Sequence, residues 1–438
     1  MIALMFPALF ALIFMGIPVS FALIAVAAGA GFFVFDGNIV RMASVLYGKA
    51  LGSASSPILA SIPLFIFMGA VMERSAIARR LFEAMQLWLG RMPGGLAVAT
   101  IAMCAVFAAA SGIIGAVETV IGMMAVPPML KYGYDKGLIS GTICAGGSLG
   151  TIIPPSVTVI IYASISELSI GDLYLAITIP GFITVGVFLA YIVGIAIFKP
   201  EMAPRLPRSE TDVPLSRKLY VTLTGVVPAA ALITAVLGSI ILGIAAPTEA
   251  AAVGAGGALL LALAYGELNR VVMIEICRKA VSISAMVMMI VVGGGMFSAM
   301  FIVGGGRTLV AGGVTALNLG PEGLMLVFLL IVFLLGFVLD WITIILITLP
   351  VFLAPLKAAG VDQIWFAVLM ICVIQTSYLT PPMAPAIFYF RTIAPPEITY
   401  RHMYRGIIAF VLLELIVLAV VWFLPWTATY LPYTVTRF

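Results

Sequence analysis

Apolar residues run in long blocks along this chain, and polar residues gather mainly between the blocks. Crossing a bilayer takes about 20 such residues in a helix. In the first half the blocks predict crossings at about 2–15, 17–36, 57–73, 136–162 and 171–198. In the second they predict crossings at 219–243, 247–266, 283–303, 363–391 and 406–427. Residues 94–130 and 321–356 each hold two apolar arms around a break, "AAASGIIGA" in the first. Each arm is too short to span comfortably, so both stretches predict re-entrant hairpins. The alternating pattern of a transmembrane β-barrel is absent. "MERSAIARRLFEAMQLWLGR", residues 72–91, is amphipathic and basic and predicts a helix lying in the interface, with 307–320 as its counterpart.

Two crossings are interrupted. "AGGSLGTIIPPS" (145–156) breaks one and "QTSYLTPP" (375–382) breaks the other. Their double prolines, Pro154-Pro155 and Pro381-Pro382, lie 227 positions apart, and the same offset aligns Pro128 with Pro355, Gly133 with Gly360, Asp135 with Asp362 and Tyr162 with Tyr389. Agreement at one constant offset predicts a tandem repeat. The repeats are 1–198, with a hairpin at about 94–130 and a broken helix at 136–162, and 219–438, with a hairpin at about 321–356 and a broken helix at 363–391. The polar stretch 199–218 links them. Five crossings per repeat is an odd number, so the second copy must be inverted across the membrane. The expected fold is an all-α polytopic membrane protein of two inverted-topology repeats.

Composition agrees with this. The 438 residues are 63% hydrophobic and 9% charged, with a mean hydropathy of +1.24, where soluble proteins carry about 25% charged residues. A net charge of +4 without a basic patch excludes a nucleic-acid partner. Placing the linker in the cytoplasm leaves only Arg41, Lys49, Arg307, Lys357 and Arg437 outside, of 22 basic residues. The positive-inside bias therefore puts both termini outside. The amino terminus lacks a basic leader and reads as a first membrane helix. The four cysteines form no CxxC pair and read as small core residues.

Irregular backbone survives at membrane depth only where protein or a water-filled cavity satisfies it. Helices broken in mid-membrane offer freed carbonyls to Na⁺ and N-termini to anions. Hydroxyls cluster at the breaks: Ser111, Thr119, Ser148, Thr151, Ser156 and Thr158 in the first repeat, and Thr343, Gln375, Thr376, Ser377 and Thr380 with Asp340 in the second. Such oxygens suit a hard cation, and no transition-metal site is expected, since the single histidine, His402, lies at the inner end of the last crossing. Some of these hydroxyls are expected only to bond back to their own helix. Three acids are predicted to be buried: Glu118, Glu249 and Asp340. Glu118 has three readings: a protonated carboxyl, a structural carboxylate paired with a donor, or a proton or cation site. Glu249 reads as a carboxylate at a helix N-terminus. There is no HExxH, nucleophile elbow or acidic metal cluster to support an embedded enzyme.

"AGGSLGTIIPPS", "YLTPPMAP", "GFVLD" and "GIAAPTEAAAVGA" together resemble the large membrane subunit of tripartite ATP-independent periplasmic (TRAP) transporters, across essentially the whole chain. Two stretches depart from that family. Ala246-Pro247-Thr248-Glu249 stands where TPTE is usual, and "SGIIGAVET" has fewer hydroxyls at the first tip, which shifts weight there to backbone carbonyls. The resemblance implies elevator-type transport and scaffold domains, and a sodium-coupled importer of a small organic anion in a bacterial inner membrane. No cofactor is implied; Na⁺, the coupling ion, is expected at Ser111 and Gly112 with Gly147, Ser148, Gly150 and Thr151. A second Na⁺ is expected at Gly336 and Asp340 with Thr376 and Thr380. The substrate carboxylate is expected between them, near Pro155, Ser156, Thr158, Thr343 and Pro382. The implied partners are a small four-helix membrane subunit, a periplasmic substrate-binding protein and membrane lipid. A carrier of similar hairpin architecture that needs no binding protein, and a passive channel, remain as alternatives.

Overall fold

The computed structural model describes residues 2–111, 114–207, 213–317, 319–381 and 384–435. Every regular element among these residues is helical. The first half holds α1 (Met5–Phe14), α2 (Val19–Val34), α3 (Ile39–Ala54), α4 (Ser61–Arg74), α5 (Ala76–Leu89), α6 (Gly95–Ser111), α7 (Ile114–Lys131), α8 (Lys136–Ser148), α9 (Val157–Ser166) and α10 (Ile170–Phe198). The second holds α11 (Leu215–Ile241), α12 (Pro247–Ala264), α13 (Arg270–Val303), α14 (Gly306–Leu317), α15 (Pro321–Leu335), α16 (Trp341–Ala358), α17 (Gln363–Leu379), α18 (Pro385–Arg391), α19 (Tyr400–Phe423) and α20 (Trp426–Val435).

Six described helices are long and apolar enough to cross a membrane: α10, α11, α12, α13, α16 and α19. α16 was expected to be too short, yet its 18 residues suffice by length and composition. α13 begins well before the predicted 283, because its first turns are polar enough to escape a hydropathy reading but still helical. Arg74 pairs with Glu275 at 3.2 Å, and Lys279 with Glu73, fastening those turns to α4. Between the second and third predicted crossings lies a further helix, α3, capped by the Asn38 side chain. The amphipathic stretch forms its own helix: α4 and α5 meet at a 63° bend. Trp88 of α5 donates to Thr222 of α11 at 2.9 Å, and Lys218 lies over its ring.

The aligned positions of the two halves take the same local conformations. Asp135 caps α8 by accepting from the Leu138 N–H, and Asp362 caps α17 by accepting from the Ile364 and Trp365 N–H groups. Gly133 (φ +75°) and Gly360 (φ +72°) both end the preceding helix in the left-handed region that glycine enters without strain. Pro128 and Pro355 lie inside α7 and α16.

Small residues decide how closely the crossings approach. Gly137 and Gly141 form a GxxxG face on α8, and a Cβ on Gly406 of α19 would lie 2.0 Å from the Gly137 carbonyl. Only glycine allows that crossing. Two turns further on, the same pair of helices brings Ser148 and Glu414 within hydrogen-bond reach.

Candidate functional site

The second hairpin turns between α15 and α16. A Cβ on Gly336, at the end of α15, would lie 2.3 Å from the Ser377 Cβ, so the tip presses directly on the last turn of α17, which stays helical to Leu379. Asp340 caps α16: its carboxylate accepts from the Ile342 and Thr343 N–H groups at 3.1 and 3.3 Å and from the Thr343 hydroxyl at 2.6 Å. Gly336, Asp340, Ser377, Tyr378 and Tyr389 share the wall of a cavity of about 350 Å³. Its opposite wall is α13, from Ile283 to Ile290, with Ser20 of α2. The cavity thus lies between the broken elements and the long helices that would form a scaffold.

The first break is built differently. α8 runs into a 3-10 turn at Leu149–Thr151, and Gly147, Ser148, Gly150 and Thr151 are all buried. A Cβ on Gly147 would sit 2.1 Å from Glu118 Cγ, so glycine there makes room for the glutamate. Glu118 is 0% exposed. The Tyr378 hydroxyl donates to its Oε2 at 3.4 Å, and its Oε1 has no hydrogen-bond partner among the described residues. On the other side, Ser148 donates to Glu414 Oε1 at 2.9 Å and accepts from Gln375 Nε2 at 3.3 Å. Ser148 and Gln375 lie 227 residues apart, the offset at which the two halves of the sequence align, and here they touch. Glu414 Oε2 is also without a partner.

Several expected ligand hydroxyls are occupied by their own backbone. Thr151 donates to Ser148 O, Ser156 to Thr151 O, Thr376 to Cys372 O and Thr380 to Thr376 O. Donation leaves a hydroxyl its lone pairs, so these bonds do not prevent it from meeting a cation. Ser156, Thr158 and Thr343 are buried rather than part of the cavity wall, and Pro155 is buried in the first break. Gly112 and Pro382 lie outside the described residues, as does the side chain of Ser111.

Two readings from the sequence need correction. Glu249 is exposed, accepting from the Ala246 N–H at 2.8 Å as a helix N-terminal carboxylate. Cys277 is exposed, whereas Cys104, Cys144 and Cys372 are buried. The sequence reading also missed Glu414, 3% exposed, although a lone carboxylate in "LLELIVL" was the signal for it. Tyr378 gave no signal, and Tyr389 was marked only by its alignment with Tyr162, since aromatics suit any membrane helix.

A model of the DctM component of the tripartite ATP-independent periplasmic transporters matches residues 6–427. The chain belongs to this family. It is 28% identical to the C4-dicarboxylate TRAP transporter large permease protein of Pseudomonas aeruginosa, over 91% of each chain. It is 29% identical to the ectoine/5-hydroxyectoine permease of Ruegeria pomeroyi over 98% of each, and 28% identical to the sialic acid permease of Vibrio cholerae over 96% of each. In fold it is similar to the YdaH transporter of Alcanivorax borkumensis, with a TM-score of 0.59 at 15% identity, covering 91% of this chain and 90% of that one. These relatives are named as transporter permeases, not enzymes. This chain is likewise a TRAP large permease, an integral membrane protein of many apolar helices.

Proposed function

We propose that this permease imports a small organic anion across a bacterial inner membrane, driven by Na⁺, after a periplasmic binding protein delivers it. The observation that carries the reading is the central cavity, where the second hairpin tip, the broken α17 and Asp340 face the long α13. Two of the relatives' named substrates, C4-dicarboxylates and sialic acid, are carboxylate anions and support the ligand class, and ectoine, a zwitterion, also carries a carboxylate. Na⁺ loads at Gly336, Asp340, Thr376 and Thr380, and at Gly147, Ser148, Gly150 and Thr151 with Ser111 and Gly112 of the first tip. Each elementary charge carried inward gains about 2.3 kcal/mol per 100 mV, so two or more Na⁺ accumulate an anion against its gradient.

Burying an ionised carboxylate at membrane depth is costly. Glu118 and Glu414 each leave one oxygen open, so a proton on the carboxyl or a cation bound to it meets that cost. The two halves act as inverted repeats, the hairpins and broken crossings moving as one body past the long helices. Both termini then face the periplasm. A small four-helix subunit completes the complex. The isethionate permease protein DctMQ supports this, since this chain covers only 57% of its length.

The test is uptake of radiolabelled succinate, N-acetylneuraminate and ectoine into proteoliposomes holding the permease, its small subunit and its binding protein. An inward Na⁺ gradient is expected to drive accumulation of one of them. Uptake that ignores the gradient refutes the coupling, and uptake undiminished without the binding protein points to a self-sufficient carrier.

A further inference from the structure

A second cavity lies along α13. The central one meets this helix at Ile283–Ile290, and the other, of about 620 Å³, meets it at Val291, Gly295, Ser298 and Ile302. Met286 and Ser298, one in each wall, stand roughly 18 Å apart along the helix at 1.5 Å per residue. The far wall of the second cavity is α16 from Leu346 to Lys357, with the end of α9 at Ser164–Glu167.

Three cations from three elements converge on it: Lys49 of α3, Arg307 of α14 and Lys357 of α16. Glu167 is the one acid in its lining. None of the four forms an ion pair with another described residue. Within the wall Ser298 is 4% exposed, and its hydroxyl has no hydrogen-bond partner among the described residues. Gly295 brings α3 close on the near side: a Cβ there would come within 3.1 Å of the Ser53 hydroxyl and in ordinary contact, 3.6 Å, with Lys49 Cγ.

We propose that this second pocket is a binding site for a small organic anion, a carboxylate or sulfonate, held by Lys49, Arg307 and Lys357 with the Ser298 hydroxyl. Cations around a low-dielectric concavity focus their field and raise the local concentration of anions. The buried hydroxyl supplies a hydrogen bond that no other described residue uses. The site is separate from the central cavity and lies toward the Val303 end of α13, which the charge bias places outside. It is a first stop for an anion on its way to the central cavity. The ligand class and the membrane face rest on the transport reading above.

The test is lysine acylation by an N-hydroxysuccinimide ester, followed by mass spectrometry, on the intact permease in phosphatidylcholine nanodiscs. Potassium succinate, gluconate and isethionate are compared at matched ionic strength without Na⁺. At least one is expected to slow labelling of Lys49 and Lys357 by about threefold when present at twice its Kd. Lys218, at the start of α11, is expected to label unchanged. Arg307→Gln is expected to lose the protection and Asp340→Asn to keep it. Labelling of Lys49 and Lys357 that is no slower with any of the three than with potassium chloride at the same ionic strength, or equal slowing at Lys218, overturns the site. So does protection by phosphatidylglycerol alone to which added anion contributes nothing. Protection that persists where Na⁺-driven uptake fails keeps the site and removes only the coupling. Uptake without protection removes only the site.

Discussion

Asp340 has two jobs to separate, because a carboxylate that caps a helix looks the same as one waiting for sodium. Its bonds to Ile342, Thr343 and the Thr343 hydroxyl already account for both oxygens. Asparagine caps as well as aspartate, whereas alanine costs about 1 kcal/mol. Asp340→Asn is therefore expected to melt like the parent protein and Asp340→Ala to melt earlier. If Asp340 also binds Na⁺, Asp340→Asn raises the Na⁺ concentration for half-maximal uptake about tenfold, a loss of ~1.4 kcal/mol. A normal Na⁺ dependence in that variant leaves Asp340 as a cap only. Gly147 offers a second test. An added methyl collides with Glu118 Cγ at 2.1 Å, and overpacking of this kind costs about 1–3 kcal/mol. Gly147→Ala is expected to lower the melting temperature, and Glu118→Ala is expected to suppress that loss in the double variant. Additive effects would place Glu118 elsewhere than against the break.

Among the elements, the second hairpin is the one whose seating is easiest to disturb. Three consecutive glycines in α13 face three different helices. Gly293 meets the Ser20 carbonyl of α2, Gly294 meets Leu346 of α16, and Gly295 meets Ser53 and Lys49 of α3. A Cβ on Gly294 would fall 2.7 Å from the Leu346 Cβ, at the boundary between α13 and the hairpin. Gly294→Val is expected to slow uptake strongly at near-normal expression, and Leu346→Ala in the same chain is expected to restore most of it. Failure of that rescue would mean that the hairpin does not bear on α13 during transport. The helices and both breaks were legible in the sequence because apolar runs, glycine and proline act locally. Asp135 and Asp362 were legible as partners because each caps a helix from the same repeat position. The Ser148–Glu414 contact was not, since it joins residues 266 apart through a GxxxG crossing. Periodicity reports which face of a helix is apolar but not which helix it meets. The cavity wall was hidden for the same reason: Tyr378 and Tyr389 become polar groups only once Glu118 and Asp340 are placed nearby.

At the scale of the whole molecule the open question is which end faces the cytoplasm. The charge bias gives one answer, and the fold contains a native reporter for it. Cys277 is exposed in the early turns of α13, beside Arg278 and Lys279, while Cys104, Cys144 and Cys372 are buried. Thiol labelling needs access to the sulfur as well as a fraction of thiolate, so a membrane-impermeant maleimide has one accessible target among the four native cysteines. With the linker in the cytoplasm, that end of α13 is inside, because Lys279 meets Glu73 and Arg74 meets Glu275 near the α4–α5 bend. Intact cells are then expected to leave the permease unlabelled, and inverted membrane vesicles to label it fully. Cys277→Ser is expected to abolish the signal in vesicles, which shows that the buried thiols contribute nothing. Labelling in intact cells instead reverses the orientation. It would place the Lys49, Arg307 and Lys357 pocket on the cytoplasmic face, where it would meet substrate leaving the protein rather than entering it.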